Sequence, residues 1–445
     1  MKRIVKLRIL SVFLFSMFFL SSFVPVPQVQ GHKLAHTTPE EILRSISLID
    51  SFKEIKNDSF FISTYEVWFR MPMDHQHPER GYFPLRVYYS HKDFSSPMLM
   101  ILDGYTMYTS HSHELSHILN SNQITIEHRF FSHSRPTDSI PWEYLNIRQA
   151  AADQHAVIQA FKPFYTHKWV STGISKSGQT TIFHRRFYPQ DVNVSVPYVA
   201  PLNFSNADPR IHRFLSSVGT PKCREKLRKF QYLLFERKQS LFPIFKELVK
   251  AKGWKFSMGL ERAYDLSVLE SEFSFWQWGG DCNTIPDAKA NDKQIFDYWK
   301  SLNAFTFFEE KAIDRVRPFF YQAMNQIGMY SYDVKPFRKY LKDTRDITFD
   351  FTMPTGHKVS YDPKAMQDIH HWLDINGNYM LYIYGGNDPW TATSVVTSRA
   401  TNAVKMVNPG GSHATRIKSF PLAMQDSIYK VLGSWLEMNL PVNRP

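Results

Sequence analysis

Cysteine is scarce in this 445-residue chain: Cys223 and Cys282 are the only two, so at most one disulfide can form. Glycine numbers 18 and follows no Gly-X-Y period, which excludes a collagen-like chain. The formal net charge is +12, yet no block of lysine and arginine is longer than a few residues. Nucleic-acid binding asks for a concentrated basic stripe and a motif. Neither is present, and the charge reads as a dispersed surface property that aids solubility. Internal repeats, low-complexity stretches and an HExxH motif are also missing. The histidine-rich "HSHELSH" sets His113 and His117 on one helix face near His111 and Glu114. That spacing could hold zinc, but the polar setting favours a surface or the rim of a site. No metal and no cofactor is called for.

What is present indicates a globular protein. The hydrophobic fraction is 43% and the charged fraction 21%, enough for one large core and an inserted subdomain. Aromatic residues reach 15%, more than a core alone needs, which suits a cleft that grips peptides or another amphipathic ligand. Lys2, Arg3, Lys6 and Arg8 precede an apolar run from Ile9 to Val24. Together they predict a secretory signal peptide over 1–31, with an uncleaved anchor as the alternative, since the run falls short of the ~20 residues of a membrane span. Cleavage near Gly31 fits the usual small-residue pattern poorly, and no cysteine lies there to carry a lipid. Export to the periplasm or the medium would place Cys223 and Cys282 in an oxidising compartment, where one disulfide is expected.

Past a helical lead-in over 32–60, "STYEVWF" and "LRVYYS" predict a hairpin. "PMLMILDGYT" and "QITIEHRFF" predict strands, and "WEYLNIRQAAADQHAVIQAF" a helix with Leu145, Ala152, Ile158 and Phe161 inward. A strand at Trp169 and Val170, a helix through Phe187 and the strand "VNVSVPYVAP" follow. Residues 205–358 then carry helical spacing with few strand signals, and strand–helix alternation resumes over 359–445 with "NYMLYIYGG", "AVKMVNP" and a last helix. This is the layout of an α/β fold, an α/β-hydrolase sheet (32–204 and 359–445) interrupted by a mainly helical cap.

In "STGISKSGQTTIFHRRFYP", Ser175 stands at a strand-to-helix corner with Gly173 and Gly178 allowing a sharp turn. That is the setting of a nucleophile elbow. Asp388 in "YGGNDPW" and His413 in "NPGGSHATRI" each follow a later strand, in the hydrolase order of serine, acid, histidine. The imidazole would take the serine proton while the carboxylate fixes its tautomer. Oxyanion stabilisation is expected from the backbone N–H of Lys176 and from the "LDGYT" loop, with Gly104 and Tyr105 as candidates.

These segments, with "EHRFFSHSRP", "YLNIRQAAADQHAVI" and "MPMDHQHPERGYFPLRV", resemble the secreted prolyl tripeptidyl aminopeptidase family, serine peptidases related to the lysosomal Pro-Xaa carboxypeptidases. The resemblance runs from about residue 60 through most of the chain. It implies an α/β-hydrolase fold with a helical cap and release of tripeptides from free N-termini, with proline before the scissile bond. It also implies Ser175 as nucleophile, Asp388 as orienter and His413 as base. Two positions depart from the family pattern: Ser177 stands where the elbow normally has glycine, and Gln326 in "YQAMNQIGMY" where the cap normally has an acid.

An aminopeptidase must pair the substrate ammonium, because a buried unpaired charge is costly. Glu127, Glu270 and Glu272 are the candidates. A flat aromatic proline pocket could come from Phe275, Trp276 or Trp278 in "ESEFSFWQW". The sequence therefore predicts an exported serine exopeptidase acting on peptides. An esterase or acylaminoacyl hydrolase on the same three residues, or a non-catalytic peptide binder, are the alternatives.

Overall fold

The computed structural model describes residues 38–440 apart from Asp138 and residues 343–346. The predicted signal peptide lies outside the described residues. The chain opens with α1 (Pro39–Ser45), β1 (Ile49–Ile55), β2 (Ser63–Pro72), β3 (Tyr82–His91) and β4 (Met98–Leu102). There follow α2 (Glu114–Leu119), β5 (Asn122–Ile126), α3 (Ile147–Phe161), β6 (Trp169–Ile174), α4 (Lys176–Phe187) and β7 (Val194–Tyr198). Among the described residues the strands form one sheet of order β1-β2-β3-β5-β4-β6-β7-β8-β9, where β8 is Leu381–Gly385 and β9 is Val404–Asn408. The β1, β2, β3 and β5 neighbours pair antiparallel, and the pairs from β5–β4 through β8–β9 are parallel.

Burial explains the central strands. Every residue of β5, β7 and β8 is buried, as a parallel sheet covered on both faces requires. Val157, Ile158 and Phe161 of α3 pack on one face. Ile428, Leu432 and Leu436 of the last helix, Leu422–Leu436, pack with Val194 and Val196 on the other. The four inward residues expected around α3 are all buried.

One expectation is corrected. The lead-in is helical only over Pro39–Ser45, and the chain then forms the edge strand β1. Ile49, Phe52 and Ile55 recur every third residue, which imitates a helical face. They pair instead with β2 through a register shift between Ile49 and Ser51. Tertiary pairing outweighs a short local period here, and Lys53 and Glu54 charge the open edge.

Between β7 and β8 the chain runs through α5 (Pro209–Leu215), α6 (Pro221–Glu236), α7 (Lys238–Lys252), α8 (Leu260–Trp278), α9 (Asp292–Ser301), α10 (Glu310–Gln322) and α11 (Lys364–Asn376). Thr220 caps α6 by accepting from the Cys223 amide, with Pro221 in its first turn. Trp299 packs edge-on against Tyr264 and Phe305, all three buried. The Cys223–Cys282 disulfide ties α6 to the segment after α8, with Cα atoms 5.4 Å apart. Closing so long a loop restricts the unfolded chain. Replacing both cysteines by serine is expected to cost roughly 2–4 kcal/mol, measured by denaturant unfolding.

Candidate active site

At the β6–α4 corner Ser175 adopts φ 62° and ψ −124°, a left-handed conformation that costs a non-glycine residue of order 1–3 kcal/mol. The surroundings impose it. The Ser175 amide donates to the Tyr198 carbonyl at 2.9 Å, and the Ser175 carbonyl accepts from the Gln179 amide at 3.0 Å. A Cβ at Gly173 would stand 2.2 Å from the Ser177 carbonyl oxygen, and one at Gly178 2.7 Å from Ala200 Cβ. The two glycines thus let α4 sit against β6 and β7. Ser177 does more than fill the place of a glycine: its hydroxyl donates to Asp103 Oδ1 at 2.8 Å and accepts from the Gly104 amide at 2.9 Å. It straps the elbow helix to the loop after β4.

The loops after β8 and β9 are held together by backbone. The Gly386 amide donates to the Asn408 carbonyl and the Asn387 amide to the Gly411 carbonyl, both at 2.8 Å. Gly385 permits this approach, since a Cβ there would meet the Ser412 carbonyl at 2.3 Å. Asp388 is fully buried; Oδ1 accepts from the Trp390 amide and Oδ2 lies 2.7 Å from His413 Nδ1. With Nδ1–H donating to the carboxylate, the free lone pair of the ring lies on Nε2. The His413 amide donates to the Gln277 carbonyl at 2.9 Å, and its ring meets Trp278 edge-on at 5.9 Å. The last turn of α8 therefore holds the histidine loop.

A cavity of ≈ 350 Å³ opens over Ser175, lined among others by Tyr105, Glu270, Phe273, Trp278 and Trp390. Its size and apolar walls suit a small peptide segment. Glu270 is its acidic group. Oε2 accepts from the Tyr330 hydroxyl at 2.7 Å and the Tyr332 hydroxyl at 2.5 Å, and Oε1 from Ser274 at 2.9 Å. Burial pushes the carboxyl up to about 7, and these three hydrogen bonds oppose the shift. Among the described residues no cation pairs with Glu270.

The other candidates separate. Glu127 lies outside the cavity, paired with Arg86 at 2.6 Å and accepting from the Met107 and Ser134 amides, so its oxygens are already engaged. Glu272 faces a neighbouring recess and pairs with Arg228 at 3.5 Å. Two residues apart on a helix point away from each other, so α8 can turn only one of Glu270 and Glu272 to the cavity. Trp276 is buried against Gly219, and Phe275 packs on Trp276. Trp278, 58% exposed, is the tryptophan of this segment that lines the cavity. Gln326 accepts from the Ile147 amide at the start of α3. His113 caps α2, while His117 bonds Ser112 and lies against Phe60. Lys176 is buried, and its Nζ donates to the Gly104 carbonyl at 2.5 Å. The Gly104 amide is engaged by Asp103 and Ser177.

Sequence reasoning missed Phe273, Tyr330, Tyr332 and Trp390. A helical-face reading of α8 would have found the first, because 270, 273, 274, 277 and 278 form one stripe. Trp390 stands two residues after Asp388 in the quoted "YGGNDPW", whereas Tyr330 and Tyr332 come from a remote segment and carried no local signal.

The PS-10 peptidase S37 family model matches residues 41–427. The prolyl tri/tetrapeptidyl aminopeptidase of Streptomyces mobaraensis is 32% identical over 370 residues, 80% of this chain and 76% of that protein. A probable serine protease of Arabidopsis thaliana, EDA2, is 24% identical over 157 residues, 30% of this chain and 32% of that one. Among solved structures, the proline iminopeptidase of Mycobacterium smegmatis has a TM-score of 0.39 and 12% identity, covering 83% of this chain and 99% of that one.

Proposed function

Given that the chain belongs to the PS-10 peptidase S37 family of serine peptidases, we propose that it is an exported aminopeptidase that releases tripeptides from free N-termini, preferably after proline. The observation that carries this reading is Glu270, a buried carboxylate without a cationic partner among the described residues, in the wall of the cavity that holds Ser175. A substrate ammonium would supply that partner, and a carboxylate–ammonium pair is worth most where water is excluded. Trp278, Phe273 and Trp390 offer flat faces for a proline ring. The basic and apolar leader and the Cys223–Cys282 disulfide support export. No helix among the described residues is long and apolar enough to cross a membrane.

In the first half-reaction Ser175 Oγ forms a bond to the scissile carbonyl carbon, and its proton passes to His413 Nε2. The carbonyl π pair moves onto oxygen. As that pair returns, the C–N bond breaks and the imidazolium gives its proton to the departing amine. Asp388 holds the ring and stabilises its charge without taking the proton. Water repeats the sequence on the acyl-enzyme, regenerating Ser175 and releasing the peptide acid.

The test uses Ala-Ala-Pro p-nitroanilide with a free and with an acetylated N-terminus. Rapid release from the free form alone is expected. Equal release from both would remove the ammonium requirement and leave an endopeptidase or esterase. A fluorophosphonate that fails to label the folded protein would remove the serine nucleophile.

A further inference from the structure

The loop after β4 cannot offer its first amide to an oxyanion. Gly104 N–H is shared between Asp103 Oδ1 at 3.0 Å and Ser177 Oγ at 2.9 Å. An intermediate with one donor, the Lys176 amide at the start of α4, would be poorly stabilised. The same loop, however, carries a side chain to the place. Tyr105 and Ser175 line the same cavity.

We propose that the Tyr105 hydroxyl is a catalytic residue, the second oxyanion donor, taking the part expected of a backbone amide. The inference rests on Ser175 being the nucleophile. When the Oγ–carbon bond forms, the carbonyl oxygen that receives the π electron pair stands one carbon away from Oγ, within the swing of the Tyr105 hydroxyl. The phenol lends a hydrogen bond and keeps its proton, and the charge disappears when the C–N bond breaks and the carbonyl re-forms. Burial raises the phenol above its ordinary range, so it remains a donor at every working pH.

The fold fixes this phenol from three sides. A Cβ at Gly104 would lie 2.7 Å from both Lys176 C and Ser177 N, so glycine lets the loop lie directly on the elbow. Lys176 Nζ holds the Gly104 carbonyl from within and sits 5.6 Å from the Tyr105 ring centre and 5.0 Å from that of Phe131. The tyrosine ring itself packs against Phe131 and Phe319. Ser177 closes the bracket through Asp103 and is a positioning residue for Tyr105. This gives the elbow serine, which departs from the family's glycine, a physical task.

Tyr105→Phe retains the ring contacts and removes only the hydroxyl. We expect kcat on the free tripeptide anilide to fall about 10²–10³-fold with KM little changed. A peptidyl boronate, which places a tetrahedral oxygen at this position, should lose affinity by the same factor while the product tripeptide binds as before. Ser177→Ala should lower kcat by a smaller factor, again without moving KM. A Tyr105→Phe enzyme with wild-type kcat would overturn the proposal, as would equal weakening of boronate and product, which marks a merely structural tyrosine. If Ser175→Ala stays active, the nucleophile assignment falls, a result distinct from either of these.

Discussion

Ser175→Ala is expected to lower kcat on the free tripeptide anilide by about 10⁶-fold, the scale seen when a serine nucleophile is removed and binding alone remains. Asp388→Asn should cost less, about 10⁴-fold, because the imidazole survives but is offered the wrong tautomer. These losses should leave the fold intact. Ser175 holds φ 62°, so Ser175→Gly should relieve backbone strain and raise the thermal midpoint while remaining inactive. A single series of kinetics and melting curves checks both halves. A Ser175→Ala protein that unfolds early would mean that the hydroxyl is structural.

The second large effect concerns Glu270. Glu270→Gln keeps the shape and removes the charge. Breaking one side of a buried charged pair typically costs about 2–4 kcal/mol, so kcat/KM for the free-amine substrate should fall roughly 30- to 1000-fold, with the acetylated substrate unaffected. The pH profile supplies an independent readout. Tyr330, Tyr332 and Ser274 face the carboxyl and burial holds it at about 7. In the proposed role ionised Glu270 binds the ammonium, so activity should rise with pH through that region. Glu270→Gln removes that ionisation, so the part of the rise that comes from the carboxyl should be lost. Stability moves the other way. A carboxyl raised in the folded state from 4.5 to about 7 contributes stability that is present below 4.5 and is lost as pH rises to about 7. Glu270→Gln should therefore be the more stable protein at pH 8, by chemical denaturation.

The Ser177 strap shows how a residue can be visible in sequence and yet opaque. A serine two residues after Ser175 stands out at the elbow, but its partners, Asp103 and the Gly104 amide, lie more than seventy positions earlier. Nothing local announces them. Glu127 shows the converse. A glutamate next to "HRFF" is a plausible amine ligand until Arg86, from the antiparallel part of the sheet, is brought to 2.6 Å.

The sequence alone determined the alternation of strands and helices, the interruption between β7 and β8, and the positions of Ser175, Asp388 and His413. Each depends on short-range rules: apolar runs make buried strands, and glycines mark where backbone must turn sharply or pass close. The tertiary structure alone decided which acid faces the cavity, which tryptophan lines it and how the loop after β4 meets the elbow. Those outcomes depend on helix phase and on pairings between distant strands, where a rotation of one residue about α8 exchanges Glu270 for a neighbour that faces elsewhere.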